Sequence, residues 1–426
     1  MIKTIKTIIV IFLLNAVILS CSTTPMSDSG TVEIPNDFLG IVHAGRSNSV
    51  KEYQLIDQLG ADWVLTTFYW SSIESERGNF NYSSYDEYVD FARTQDKKVI
   101  AVLAYSTDWV NEKRYISNAN IVHFLNYVEK TVTHFKGRVD VWQIWNEPNF
   151  SFWKGSNKDF FELSKQAAAK IRETDPDAFI IGGGLWRTPK GFILGMHKAG
   201  AFENLDAVSF HPYAVTPRGS TKLHDDFIKL RDKTGFTGET WITEVGYPTS
   251  GWYPTKVSLE NFSSYIIKTI VPASVRGART LFWYELFDKY NRGEEIKKSE
   301  SEYFFGLVYP DYSWKDGAWA FSLCGKYLPG SRYMPELPKR DSIPSSIVSF
   351  YFSEGLSGYN TLVLWNDRNS SFKVKLSLSS PFNMHDISSD NVTVMHDESI
   401  LEITDKPVFI TWQGSSSFMP IISKEK

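Results

Sequence analysis

Eight times between residues 38 and 328, a short run of apolar residues is followed by a longer stretch whose apolar positions recur every three to four residues. Alternating strand and helix signals of this kind specify repeated βα units around a parallel sheet. The strand runs are read at 38–42, 63–68, 99–104, 139–144, 179–183, 207–210, 240–243 and 279–284, many of them apolar throughout, as strands covered on both faces are. The helical period is plainest in Ile121, Phe124, Leu125, Val128, Val132 and Phe135. Similar stripes lie at 53–59, 85–92, 160–171 and 259–270. Eight such pairs fit a closed barrel better than an open doubly wound sheet, which would call for a G-x-G-x-x-G loop that the chain lacks. The predicted fold class is therefore α/β, with a (β/α)₈ TIM barrel over residues 36–335.

Beyond residue 344 the texture changes to strands without helices: SIVSFYFS, NTLVLWND, FKVKLSL, NVTVMH, SILEIT and PVFITWQ. The alternation of Phe372, Val374 and Leu376, and of Val408, Ile410 and Trp412, marks strands with one buried face. A small C-terminal antiparallel β-sandwich is expected over 340–414, followed by a tail at 415–426, with a short strand at 31–34 joining the sandwich.

The N-terminus carries lysines at 3 and 6 and an apolar run at 8–19 broken by Asn15, the pattern of an export signal and too short to span a bilayer comfortably. It ends in Ile18-Leu19-Ser20-Cys21, which resembles the bacterial lipobox. That resemblance implies a signal peptide at 1–20, lipidation of Cys21 and a tether at 21–35. The protein would then sit in the bacterial cell envelope, lipid-anchored to a membrane and either periplasmic or surface-exposed. An ordinary secretory signal with an incidental cysteine is the alternative. Cys324 is the only other cysteine, so no disulfide is expected in the mature domain.

A formal net charge of -4 leaves no electrostatic footprint for nucleic acid. Aromatic residues make up 15% of the chain, and flat rings with a polar tip suit the apolar C–H faces of sugars as well as a large core. The eight histidines show no paired ligand spacing, so neither a metal nor another cofactor is expected. The chain is expected to act as a monomer.

In a parallel barrel the functional groups gather where strands end and βα loops begin. Two carboxylates fall there: Glu147 after the fourth strand, in VDVWQIWNEPN, and Glu244 at the end of the seventh, in TWITEVGYP. Two carboxyl groups about 5–5.5 Å apart are what glycoside hydrolysis with retention requires. The Asn146-Glu147-Pro148 triplet, the glutamate ending strand seven and an aromatic ending strand eight resemble clan A of the glycoside hydrolases. Within that clan, VWQIWNEPNFSFW, FWYELFD and the stretch from Trp70 to Leu103 are most like family 39 and its relatives, which include β-xylosidases, iduronidases and bacterial enzymes acting on secreted polysaccharides.

The resemblance implies that Glu147 is the general acid/base, Glu244 the nucleophile and Asn146 the partner of the sugar 2-hydroxyl. Glu244 should stay charged among hydrogen-bond donors, and Glu147 should lie in a drier niche. His211 and Tyr213, in SFHPYAV, would orient nucleophile and substrate, and Trp283 would floor the subsite of the reacting sugar. Clan members often carry an arginine near the end of strand two, where this chain reads VLTTFYW, so either another basic or polar group holds the nucleophile or the resemblance is to a branch without that contact. His43, Trp70, Tyr105, Trp109, Phe150 and Trp153 follow strand ends, and some of them should line subsites. Glu285 shares a strand face with Trp283 and would help build a binding wall. Each has a structural alternative: Asn146 as a turn former, His211 as an internal hydrogen-bonder, Trp283 as core packing. The reading that best fits all of these is a retaining glycosidase on a β-linked polysaccharide or oligosaccharide. The alternatives are a transglycosidase remodelling envelope glycans and a non-catalytic carbohydrate-binding lipoprotein.

Overall fold

The structure is a computed structural model of the chain, and it describes residues 30–43, 49–110, 114–251, 256–289, 300–336, 339–414 and 420–424. Cys21 and the rest of the signal-like segment lie outside the described residues. Eight parallel strands close into a barrel: β1 (Leu39–Val42), β2 (Trp63–Tyr69), β3 (Lys98–Ala104), β4 (Val141–Ile144), β5 (Phe179–Trp186), β6 (Ala207–His211), β7 (Glu239–Val245) and β8 (Ala278–Trp283). The ring is completed by β1 pairing with β8, Leu39 opposite Leu281 and Ile41 opposite Trp283. Helices fall where the apolar stripes place them, for example Ile121–Phe135, whose Phe124, Val128, Val132 and Phe135 are all buried. Among the described residues no helix is long and apolar enough to cross a membrane.

The N-terminal end of the barrel is plugged by rings. Trp63 meets Trp241 edge to face at 5.3 Å, and Phe282 lies 6.5 Å from both. Phe282 also fills the space over Gly40, where any β-carbon would overlap it. Below the rings, Asp37 is paired with Lys98 at 2.5 Å and with Arg279 at 2.7 Å.

Among the described residues the C-terminal strands, with Val32–Glu33 added to the larger sheet, form two sheets of seven and four strands. Asn360–Asn366 is buried along its whole length because both its faces are covered. Leu362 and Leu364 point into the sandwich, with Val374, Leu376, Ile410 and Ile422. Val363 and Trp365 turn the other way and join the core shared with the barrel. Tyr327, on the last barrel helix, meets Phe409 and His385 across this seam. Val32–Glu33 pairs with Arg332–Tyr333 at the edge of the larger sheet, within the 31–34 stretch read as a strand. The expected tail differs: Ile421–Lys424 is a strand between Phe372–Ser377 and Lys339–Asp341, held by the fully buried Ile422. One buried apolar residue is too short a pattern to announce a strand. Cys324 packs as a small buried hydrophobe.

Candidate active site

At the end of β4 the backbone turns sharply. Trp145 has φ 66° and Glu147 φ 44°, left-handed values that cost a side-chain-bearing residue roughly 1–2 kcal/mol. Neighbouring structure compels them. Trp145 is fully buried, with Tyr105 at 5.2 Å and Trp153 at 5.2 Å, and the Glu147 N–H donates to the Gly184 carbonyl at 2.9 Å. Gly184 lies in the run Gly182-Gly183-Gly184, where the pairing of β5 with β6 slips. It adopts φ 55°, and a β-carbon there would stand 2.6 Å from the Gln143 amide nitrogen. Only glycine permits both the bulge and this close approach. Glu244 occupies the segment of β7 where pairing with β8 is irregular, between Ile242 and Val245.

These turns bring three groups together. His211, the last residue of β6 and fully buried, places Nδ1 2.8 Å from Glu147 Oε1 and 3.6 Å from Glu244 Oε2. Its Nε2 lies 3.2 Å from Thr243 Oγ1. One ligand-type atom from each of Glu147, His211 and Glu244 lies within 4.8 Å of the others, so the trio could also accept a divalent metal ion. The Tyr213 hydroxyl donates to Glu244 at 3.1 Å. In a chain without an arginine at the end of strand two, His211 and Tyr213 are the polar groups that contact Glu244.

Burial pushes the Glu244 carboxyl up, and the Glu147 charge adds to the rise. His211 and the Tyr213 hydroxyl oppose it, and the result is about 7. This corrects the expectation that surrounding donors keep Glu244 ionised: two donors are present, but burial and a like charge outweigh them. For His211 burial acts downward, yet the neighbouring Glu244 and Glu147 carboxylates prevail and its pKa is raised.

The pair opens into a cleft of about 1210 Å³ at the C-terminal face of the barrel. Tyr69, Tyr85 and Tyr88 line its β2 side, Phe150, Phe152 and Trp186 its β4–β5 side, and Tyr284, Lys289 and Phe305 the side of β8.

Against known proteins, the model of the cellulase family (glycosyl hydrolase family 5) matches residues 38–251, half of the chain. The chain belongs to that family. It is thereby a clan A glycoside hydrolase, related in fold to family 39. A family 39 glycoside hydrolase from Bacteroides cellulosilyticus superposes with a TM-score of 0.74 at 18% identity, over 89% of this chain and 81% of that one. A family 39 β-xylosidase from Caulobacter crescentus gives a TM-score of 0.65 at 15% identity, over 90% and 98%. Endo-1,4-β-xylanase B of Thermotoga neapolitana is 27% identical over 126 residues, which is 26% of this chain and 35% of the xylanase.

Of the residues singled out in this hydrolase, Glu147, Glu244, Asn146 and Tyr213 line the cleft, and His211 joins the two carboxylates from behind. Asn146 and Tyr105 both line the cleft. Six others are turned away. Trp283 is fully buried against Tyr247, Phe262 and Phe321, facing the helices rather than the cleft. Strand alternation therefore presents the next residue, Tyr284, whose hydroxyl binds Glu302 and accepts from Lys289 at 2.5 Å. Glu285 is buried beside Lys289 at 3.0 Å, and burial pushes its carboxyl up to about 8. Trp70 starts a short helical turn, stacks on Tyr127 and donates to Glu74 at 2.7 Å, so Tyr69 before it takes the cleft wall. His43 is held behind the wall by Glu52 at 3.0 Å and Tyr88 at 3.3 Å. Tyr105 and Phe150 line the cleft, whereas Trp109 and Trp153 pack behind it. Trp186 escaped sequence reading because the glycine run looked like the end of β5; the bulge carries the strand three residues further.

Proposed function

We propose that this glycoside hydrolase works with retention on a β-linked glycan, Glu244 acting as nucleophile and Glu147 as acid/base. The observation that carries the reading is the spacing of the two carboxylates, whose oxygens approach within 4.8 Å. Retaining pairs stand about 5–5.5 Å apart, whereas inverting pairs need about 6.5–9.5 Å to admit a water. In the first step Glu244 attacks the anomeric carbon while Glu147 gives its proton to the glycosidic oxygen. The leaving sugar departs as an alcohol and a glycosyl ester forms on Glu244. In the second, Glu147 takes a proton from water as the water oxygen attacks the same carbon, and the ester bond breaks to free Glu244. His211 lies against both carboxylates and orients them through both steps. Asn146, lining the cleft beside Glu147, offers its amide to the sugar 2-hydroxyl.

The likeness to a xylanase and a β-xylosidase makes β-1,4-xylan the first substrate to try. The signal-like N-terminus supports an enzyme anchored to the envelope through Cys21, acting as a monomer. Mass spectrometry of the mature N-terminus checks the anchor.

The test of the mechanism is reducing-end release from xylan, β-glucan, mannan and envelope polysaccharides, with Glu244→Ala and Glu147→Ala as controls. One glycan should be cleaved, with a loss of about 10⁴-fold or more for Glu244→Ala and about 10²–10⁴-fold for Glu147→Ala. The first product seen by NMR should keep the β configuration. An α product, or full activity in Glu244→Ala, overturns the reading.

A further inference from the structure

The cleft wall that follows β8 is built from two stretches of chain, 284–289 and 300–308, lying side by side. The Leu307 N–H donates to the Glu285 carbonyl at 3.0 Å, the Val308 N–H to Leu286 at 3.0 Å and the Asp288 N–H to Val308 at 3.1 Å. Gly306 permits the approach, since a β-carbon there would stand 2.1 Å from the Asp288 nitrogen. Tyr284, Lys289, Glu302 and Phe305 on these stretches line the cleft. Three of them form one polar cluster: the exposed Glu302 carboxylate accepts from Lys289 at 3.1 Å and from the Tyr284 hydroxyl.

Behind the wall lies a buried cation that the mechanism does not use. Lys315, immediately before the helix Asp316–Tyr327, has a side chain with no exposed surface, and its partner Asp288 is 1% exposed. An ammonium carries three N–H donors, and three acceptors surround this one. They are Asp288 Oδ1 at 2.6 Å, Thr249 Oγ1 at 3.0 Å and the Phe304 carbonyl at 3.3 Å. Asp288 belongs to the first stretch of the wall, Phe304 to the second and Thr249 to the loop after β7. The acceptors are tied to one another as well: Asp288 Oδ1 accepts from the Gly306 N–H at 2.9 Å, and the Thr249 N–H donates to the Phe304 carbonyl at 3.0 Å. A buried ion pair adds little stability over apolar groups of the same volume, because desolvation of both charges offsets their attraction. An apolar side chain, however, could not bind three segments at three fixed points. What the pair supplies is position.

We infer that Lys315 is a positioning residue: paired with Asp288, it sets the wall so that Glu302, Lys289 and Tyr284 meet the hydroxyls of the glycan, and it governs substrate binding without touching the substrate. The inference rests on the glycosidase reading above, and of that reading it needs only that a glycan occupies the cleft. Phe304 stands two residues from Glu302 and next to Phe305, and Asp288 is next to Lys289. A shift of the anchored backbone therefore moves the contact residues directly. The catalytic pair is held separately, by His211, Tyr213 and the Gly184 carbonyl, so the chemical step should be spared.

The test is the double variant Lys315→Met/Asp288→Asn, which removes both charges at nearly constant volume and leaves no uncompensated charge in the interior. On β-1,4 xylo-, cello- and mannohexasaccharide, KM should rise about tenfold with kcat within about threefold of the parent, as when binding common to ground and transition states is lost. The thermal midpoint should match the parent's. Amide hydrogen exchange should quicken at 284–289 and 300–308 but not in β1 to β7. A folded double variant with the parental KM would overturn the inference. So would a lowered midpoint with exchange quickened throughout the barrel, which would make the pair a general staple. Activity that survives Glu244→Ala would sink the mechanism and leave the KM comparison intact, so the two failures are told apart. Where no hexasaccharide is turned over, calorimetric titration takes the place of KM. Binding about tenfold weaker than the parent's then supports the positioning role, and unchanged or absent binding overturns it.

Discussion

At the N-terminal end of the barrel, Trp63, Trp241 and Phe282 close on one another, and Asp37 beneath them has both Lys98 and Arg279. At the C-terminal end the rings are as dense but leave space: Tyr69 is 45% exposed, and Phe150 is similarly bare. The charges differ in the same sense. Burial alone would raise the Asp37 carboxyl, but the Arg279 and Lys98 cations hold it below the ordinary value. In the cleft a single histidine lies between two carboxylates, and Glu244 is pushed up to about 7. A carboxylate with a surplus of cations is fixed in one state and serves structure. One that shares a histidine with a like charge titrates near neutrality, so the ionisation a nucleophile needs depends on pH there.

The closed end offers the largest effect. Trp241→Ala removes the ring at the centre of the plug and should cost about 3–5 kcal/mol, read as a lowered midpoint in chemical denaturation. Tyr69→Ala, at the open end, should change stability by no more than about 0.5 kcal/mol. It should lower kcat/KM severalfold through lost sugar contact. Equal stability losses would erase the distinction between a plug and a binding wall.

At the open end the contrast is sharpened by pH. The nucleophile must be ionised, so kcat/KM should be present above the Glu244 pKa and fall as pH drops through about 7. Tyr213→Phe removes a donor that favours the charged form, so Glu244 should hold its proton more tightly. The acidic limb should move to higher pH, with a loss of about 1.5–3 kcal/mol in transition-state stabilisation. Glu147→Gln removes the like charge, so the limb should move to lower pH, measured with an activated aryl glycoside that does not depend on the acid. Limbs that stay in place in both variants would show that Glu244 is not the titrating group.

The eight strands were legible because most are contiguous apolar runs; Glu147 and Glu244 stand where two of the runs end, and the resemblance to clan A pointed to His211 and Tyr213. What was not legible is which of two adjacent residues faces the cleft. Trp70, His43 and Trp283 were the expected lining residues, whereas the cleft takes Tyr69, Val42 and Tyr284, each one position away. With a side-chain period of two, a shift of one residue reverses the face, and the irregular ends of barrel strands set that phase through bulges and loop contacts. The glycine bulge before Trp186 hid that residue for the same reason.

Trp283 gives the smallest expected effect and the most direct test of that offset. Its indole N–H has no hydrogen-bond acceptor among the described residues, so Trp283→Phe gives up no polar contact and keeps a ring against Tyr247, Phe262 and Phe321. The loss of volume in a packed seam should cost about 1–1.5 kcal/mol of stability. Since Trp283 faces the helices, kcat/KM should stay within about twofold of the parent. A tenfold fall in kcat/KM with unchanged stability would return Trp283 to the floor of the reacting subsite and reverse the facing of Trp283 and Tyr284 at the end of β8. A stability loss with intact activity would keep Trp283 in the core and leave Tyr284 as the ring lining the cleft there, as Tyr69 does beside the buried Trp70.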